Sequence, residues 1–317
     1  MANVKTNGGL PSRPLTVHWP LGAPTNAPVW RSVALPSTAQ MLRQLNGFRR
    51  FYKSPEAEPT RAYVQNSYLT DMIHFFVYSS NRIERVGTQD IGQTMELLET
   101  PLSPTLKVTK EIRETLQTKV AVTEMLADRT ERLAESEALG GSGGDMLLLT
   151  ETSILRSHRT MMARLIYDYG YRISETQTKT DTGVYTYLNS AKVPVYTERL
   201  IDSLNAIAAK KPKGLTVRET FAYAAKWLYE FLTIHPFADG NGRCARLWVA
   251  YIIQYVLPFP VTILPTLRDP YLRALENTDL GDLQAILIES AWTHVRNLMN
   301  AVAVVTESLS ASSSRSS

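Results

Sequence analysis

From Ser37 onward the apolar positions recur with the period of a helix. Between Thr60 and Tyr78 they occupy much of a helical circumference (Tyr63, Val64, Tyr68, Leu69, Met72, Ile73, Phe76), which predicts a largely buried helix. A short helix near Asp90–Leu98 and a long amphipathic one from about Leu106 to Ala138 follow. Thr150 is placed to cap a helix whose Ile154, Leu155, His158, Met161, Met162, Leu165 and Ile166 share one face. Further helices are expected over Pro194–Ala209, from Thr216 to about Thr233 with Glu219 completing a capping box, and over roughly Asp282–Thr306. Asp269-Pro270 reads as an N-cap followed by Pro at the first helical position. The apolar run Ala245–Leu257 spans 13 residues, short of the roughly 20 that a membrane-spanning helix needs, and predicts a helix at the centre of the core. Only Gly183-Val184-Tyr185-Thr186-Tyr187-Leu188 carries a β pattern, expected as one arm of a short hairpin. The fold class is mostly α.

Residues 1–36 contain six prolines and form an expected irregular, disordered arm. Residues 37–148 read as a helical extension, residues 149–298 as the main domain, and residues 299–317 as a helix end with a frayed Ser-rich tail. Gly140-Gly141-Ser142-Gly143-Gly144 either divides two domains or joins two packed helices, and the second is favoured because the half before it is poor in apolar residues.

Composition narrows the function classes. The chain has 317 residues, a 44% hydrophobic fraction and a net charge of +4. That excess lies in the segment before the first acidic residue, Glu56, so it describes a basic arm rather than a nucleic-acid stripe. Such an arm is also one mark of a mitochondrial transit peptide, which its prolines oppose. One cysteine, Cys244, excludes an intramolecular disulfide framework and a cysteine-rich zinc module. A cytoplasmic protein is expected, with nucleus or mitochondrion as alternatives; no membrane span and no nucleic-acid partner are expected, and a homodimer stays open.

Chemistry concentrates in His235-Pro236-Phe237-Ala238-Asp239-Gly240-Asn241-Gly242-Arg243-Cys244-Ala245-Arg246. Gly240-Asn241-Gly242 lets backbone amides turn toward one anion at a helix N-terminus. Arg243 and Arg246, three apart, share a helix face, and two guanidinium groups beside such a nest suit a polyphosphate. Asp239 offers the hard oxygen Mg²⁺ prefers. His235 titrates near neutrality. Each residue has a bland reading alone, but the twelve together do not.

This segment resembles the Fic (filamentation induced by cAMP) signature, HPFx(D/E)GNGRxxR, at every specified position. The stretch Thr150–Arg172, with its Gly170-Tyr171-Arg172 turn, and Tyr271–Asp282 are also similar to the family. The resemblance implies a Fic-type helical domain with a β-hairpin flap and transfer of AMP from Mg-ATP to a Ser, Thr or Tyr hydroxyl of a target protein. By position, His235 would be the general base, Asp239 would hold Mg²⁺, and Gly240, Asn241, Gly242 and Arg243 would bind the phosphates. Arg246 would meet the γ-phosphate, and Phe237 would aim His235. The flap, Val184, Tyr185, Thr186 and Tyr187, would dock the target as an added strand, or merely cover the core edge.

Ser80-Asn81-Arg82-Ile83-Glu84 resembles the family's inhibitory motif, (S/T)xxxE(G/N). The resemblance implies that Glu84 pairs with Arg246 and blocks the γ-phosphate site, with Ser80 as the motif's first residue. Arg85 departs from the pattern, which wants Gly or Asn to end the helix. Glu84 would otherwise be an exposed helix-end residue. In related proteins this glutamate can also serve AMP removal, so reversal stays open. The rival readings are transfer of phosphocholine, UMP or phosphate, and a non-catalytic nucleotide-binding regulator. His158 reads as a core histidine, and Cys244 as a packing residue whose thiol Arg243 could acidify.

Overall fold

The computed structural model describes residues 35–100, 107–138, 149–166, 169–180, 183–210 and 214–313. The N-terminal arm and the glycine run at 140–144 lie outside the described residues.

Helix α1 (Thr38–Tyr52) opens on Ser37, whose side chain accepts from the Gln40 N–H while Gln40 accepts from the Ser37 N–H. Helices α2 (Glu58–Tyr63) and α3 (Leu69–Glu84) are joined by a π turn over Val64–Tyr68, so the predicted helix is longer than its apolar stripe and carries Ser80 and Glu84 in its last turns. Arg85 ends it in the left-handed conformation (φ 57°), its N–H donating to the Asn81 carbonyl. The chain thus stops where the pattern wants Gly, at a backbone cost of about 1–2 kcal/mol for a residue with a Cβ.

Helices α4 (Ile91–Glu99), α5 (Lys110–Ala138), α6 (Glu151–Met161), α7 (Val193–Ala209) and α8 (Val217–Ile234) follow, the last with the predicted Thr216–Glu219 capping box. Helix α9 (Asn241–Ile253) is buried at nearly every position and packs against α3, α5, α6 and α8. Each apolar side chain fully withdrawn there contributes about 1.5–3 kcal/mol, so α9 is the buried axis on which the site is built. One continuous apolar core takes residues from Met41 to Leu298, on both sides of the glycine run.

Three expectations need correction. Helix α6 stops at Met161, because Met162–Leu165 form a turn with Arg164 left-handed (φ 61°), leaving Leu165 and Ile166 beyond the helix. Asp269 is no N-cap: α10 (Arg268–Glu276) grows directly out of a 3-10 turn at Pro265–Leu267, and Asp269 lies inside its first turn. Helix α11 (Leu280–Ser313) takes Asp279 as its cap, through the Asp282 N–H, and runs into the serine tail.

The β signal forms an antiparallel hairpin of β1 (Gln177–Thr180) and β2 (Gly183–Thr186), with Thr178 opposite Tyr185. Tyr187 has already left the strand. No helix among the described residues is long and apolar enough to cross a membrane.

Candidate active site

The site is the loop between α8 and α9. His235 caps α8 in the left-handed conformation (φ 52°), its N–H donating to the Phe231 carbonyl. That unfavourable backbone is held by Arg172, which is 3% exposed. Its guanidinium donates to the carbonyls of His235 (2.7 Å), Ser174 (2.9 Å), Ile234 (3.3 Å) and Leu188, and its backbone N–H donates to the Pro236 carbonyl at 2.9 Å. A buried cation whose donors are spent on main-chain carbonyls fixes the segment as a unit.

Phe237 is fully buried and stacks on His158 with centroids 3.6 Å apart. His158 Nε2 lies 2.9 Å from the Asp239 carbonyl, so this core histidine is also a strut of the loop. Asn241 closes the turn from the other end: its Oδ1 accepts from the Phe237 N–H (2.9 Å) and its Nδ2 donates to the Phe237 carbonyl (2.7 Å). The Asn241 amide is therefore committed to loop backbone, a different use from the phosphate contact expected of it.

The His235 ring packs against Tyr187, centroids 3.7 Å apart and planes at 23°. Burial lowers the imidazole pKa to about 4; the Leu232 carbonyl opposes this, and Arg172 adds to it. The ring is thus neutral at pH 7, as a proton acceptor must be. Tyr187, expected at the docking edge, lies instead on His235. Val184 and Tyr185, 62% and 44% exposed, remain on the hairpin with Thr186.

Gly240 is the N-cap of α9, with φ 79°, where a Cβ would come within 2.7 Å of the Met162 sulfur. It leaves the first N–H groups of α9 without partners in their own helix, beside the positive end of the dipole. Asp239 stays 57% exposed at its side chain; its Oδ1 accepts from the Gly240 N–H at 2.6 Å and lies 3.9 Å from Arg243. Arg243 is 1% exposed, with one terminal nitrogen 3.3 Å from the Met162 sulfur. The other has no hydrogen-bond partner among the described residues. A buried, unsatisfied guanidinium nitrogen beside a helix N-terminus is a donor suited to an anion's oxygen.

Arg246, also 1% exposed, is already engaged. It donates to Glu84 Oε1 at 2.7 Å, to the Ser80 carbonyl at 3.1 Å, and to Ser80 Oγ at 3.1 and 3.2 Å. The Glu84 carboxylate lies so close over Gly242 that a Cβ there would fall 1.9 Å from its Oε1. Burial raises the Glu84 pKa, but Arg246 outweighs it and holds the carboxyl below its usual range. Cys244 corrects the sequence reading: its buried thiol is pushed up to about 12 rather than acidified by Arg243.

Residues 148–253 match the Fic/DOC family. The matched segment contains the whole of the His235–Arg246 loop. It is 32% identical over 94 residues to a Fido domain-containing protein of Dictyostelium discoideum, covering 27% of this chain and 65% of that one. It is 27% identical over 247 residues to protein adenylyltransferase fic-1 of Caenorhabditis elegans, covering 77% of this chain and 43% of the relative. The chain therefore spans less than half the length of that adenylyltransferase. Its fold matches a Fic domain containing signaling protein from Bacteroides thetaiotaomicron with a TM-score of 0.65 at 23% identity, over 84% of this chain and 97% of that one.

The loop thus gathers His235, Asp239, Gly240, Asn241, Gly242, Arg243 and Arg246 at one end of α9, with Ser80 and Glu84 brought in on α3. Arg172 as a clamp, His158 as a strut and Tyr187 as a lid on His235 are not readable from the motif. The one sign of Arg172 in the sequence is its place directly after Gly170-Tyr171.

Proposed function

We propose that this protein is an autoinhibited protein adenylyltransferase that moves AMP from ATP to a Ser, Thr or Tyr hydroxyl of a target protein. The observation that carries the reading is the unsatisfied, buried Arg243 nitrogen beside the Gly240–Gly242 turn and within the loop that presents neutral His235. The names of the adenylyltransferase relatives support it.

In this reading the first N–H groups of α9 and Arg243 bind the α- and β-phosphates. His235 accepts the proton of the target hydroxyl, whose oxygen attacks the α-phosphorus; AMP becomes attached to that oxygen and pyrophosphate departs. Such transfer depends on positioning and charge stabilisation, which Arg172, Phe237 and Asn241 provide by fixing the loop. Asp239, the exposed carboxylate at the nest, is suited to hold Mg²⁺ together with phosphate oxygens, where the ion would neutralise phosphate charge. Among the described residues no group of three His, Cys, Asp or Glu gathers, so such an ion depends on the nucleotide for its shell. Val184, Tyr185 and Thr186 offer an exposed strand to the target segment.

Glu84 acts as the brake by occupying Arg246, which the γ-phosphate would otherwise claim. The test follows label from α-³²P-ATP and γ-³²P-ATP into protein with wild type, Glu84→Gly and Glu84→Gly/His235→Ala. Label from the α-position alone, raised by the first substitution and lost with the second, is expected. Label from the γ-position would replace the reading with phosphate transfer. No label, with ATP bound, would point to another donor or to a non-catalytic regulator.

A further inference from the structure

The last turn of α3 has an outer side as well as an inner one. Inward, Ser80 and Glu84 hold Arg246. Outward, Arg82 and Arg85 line a cleft of about 430 Å³ together with Gln89, Thr266, Arg268 and Asp269. Three guanidinium groups from two separate segments thus face one carboxylate. Asp269 Oδ1 lies 3.3 Å from an Arg268 terminal nitrogen, which leaves the charges of Arg82 and Arg85 without an acidic partner in the cleft.

Cations at a helix C-terminus are often there for the helix itself. Here that role belongs to Arg268, whose Nε donates to the Ile83 carbonyl at 2.9 Å. Arg82 reaches no terminal carbonyl of α3; its contact is to the Gln89 carbonyl at 3.4 Å. The Arg85 side chain makes no hydrogen bond or ion pair among the described residues. Its left-handed backbone (φ 57°) turns the chain off the end of α3 beside this cleft. The guanidinium fork matches phosphate oxygens in pairs, and clustered forks select multiply charged anions.

The structure assigns to this cleft a small molecule carrying a diphosphate group, bound by Arg82, Arg85 and Arg268, which holds the end of α3 against the Pro265–Leu267 turn. Neutralising the three guanidiniums removes their mutual repulsion, and bridging them ties α3 to the segment that leads into α10. Because Glu84 is the residue before Arg85, the ligand also favours the Glu84–Arg246 pair. This last consequence rests on the reading of Glu84 as a brake; the binding site does not.

The full chain would be titrated calorimetrically with sodium pyrophosphate, comparing wild type with Arg82→Glu/Arg85→Glu. Both side chains are exposed, and the nest at α9 is unaltered in both proteins, so its share of the binding cancels. At least tenfold weaker binding in the double variant is expected. In wild type the melting temperature should rise by roughly 2–4 °C for each tenfold of ligand above its Kd, and less in the variant. Equal affinity in the two proteins overturns the site, as does an equal response to sulfate at matched ionic strength. If charge reversal prevents folding, Arg82→Ala/Arg85→Ala makes the same comparison. Residual α-label incorporation should fall at lower pyrophosphate in wild type than in the double variant, and equal suppression overturns the coupling to the brake. Absence of label in every protein, Glu84→Gly included, would instead reject the transfer reading and leave the binding result to be judged alone.

Discussion

Glu84 and Arg246 lie 162 residues apart in sequence and 2.7 Å apart in space, and the carboxylate covers the backbone of Gly242. The arginine is 1% exposed while the Glu84 side chain keeps 36% of its surface. The pair is therefore neither a weak surface bridge nor a fully buried one, and the contact is worth about 1–2 kcal/mol after allowance for screening. In the proposed adenylyltransferase reading that energy must be given up before a γ-phosphate can take Arg246, so Glu84→Gly should raise AMP transfer about 5- to 30-fold. The same variant should melt at a lower temperature, because the buried Arg246 guanidinium loses its carboxylate partner. Unchanged transfer with unchanged ATP affinity would remove Glu84 from any inhibitory role.

Tyr187 makes a separate prediction about His235. Its ring excludes water from one face of the imidazole, and burial is the largest cause of the lowered pKa. Tyr187→Ala should let the His235 pKa move from about 4 back toward 6.5, read by NMR titration of the ring, whereas Tyr187→Phe should not. If the stack also aims the base, Tyr187→Ala lowers kcat with little change in KM for ATP, and Phe restores it. A His235 titration identical in wild type and the alanine variant would show that the stack does not control the base.

The parts of this site legible in the sequence are those written locally. Thr216 with Glu219 marks the start of α8, and Gly240-Asn241-Gly242 marks a turn that only small or amide residues make before a helix. Because α8 and α9 are consecutive, one short loop carries His235, Asp239 and Arg243. The Glu84–Arg246 pairing came instead from motif resemblance, since no local rule links α3 to α9. The roles of Arg172, His158 and Tyr187 are not legible in the sequence, because each acts through a partner fixed only by packing. The end of α6 is hidden for a related reason: Arg164 adopts a left-handed backbone that ordinarily announces itself with Gly. Asp269 kept its capping chemistry on paper but follows a 3-10 turn that already starts the helix.

Arg172 should behave as a positioning residue rather than a catalytic one. Its guanidinium touches the main-chain carbonyls of Ile234, His235, Ser174 and Leu188 and no group of the anion nest. Arg172→Lys keeps the charge but loses the fork, so several carbonyls lose their donor at once. Each lost bond to a charged donor costs about 1.5–3 kcal/mol when the carbonyl stays buried. The expected result is a lower melting temperature and a kcat reduced by about tenfold or more, with ATP affinity close to wild type. A variant that loses ATP binding in proportion to kcat would place Arg172 in nucleotide binding instead.

The buried histidines predict how stability falls in acid. His294 is fully buried, edge-on to Phe75 at 5.4 Å, with Nε2 3.3 Å from the Thr262 carbonyl, and burial lowers its pKa to about 4. In the unfolded chain the ring titrates near its ordinary 6.5. Between these values the unfolded state binds the extra proton, so the folded state's advantage is complete above about pH 6.5 and is lost as pH falls toward 4. The loss amounts to about 2 kcal/mol by pH 5 for this group, and His235 adds to it in the same direction. Asp71 works the opposite way, since burial and Glu99 raise its carboxyl to about 6, and its protonation relieves the folded state as pH falls. Separating the two requires a variant, and His294→Asn keeps a donor for the Thr262 carbonyl while removing the titration. Urea midpoints measured at pH 7.5 and pH 5 should fall less in His294→Asn than in wild type. Parallel falls in the two proteins would mean that His294 does not contribute to the acid sensitivity of the fold.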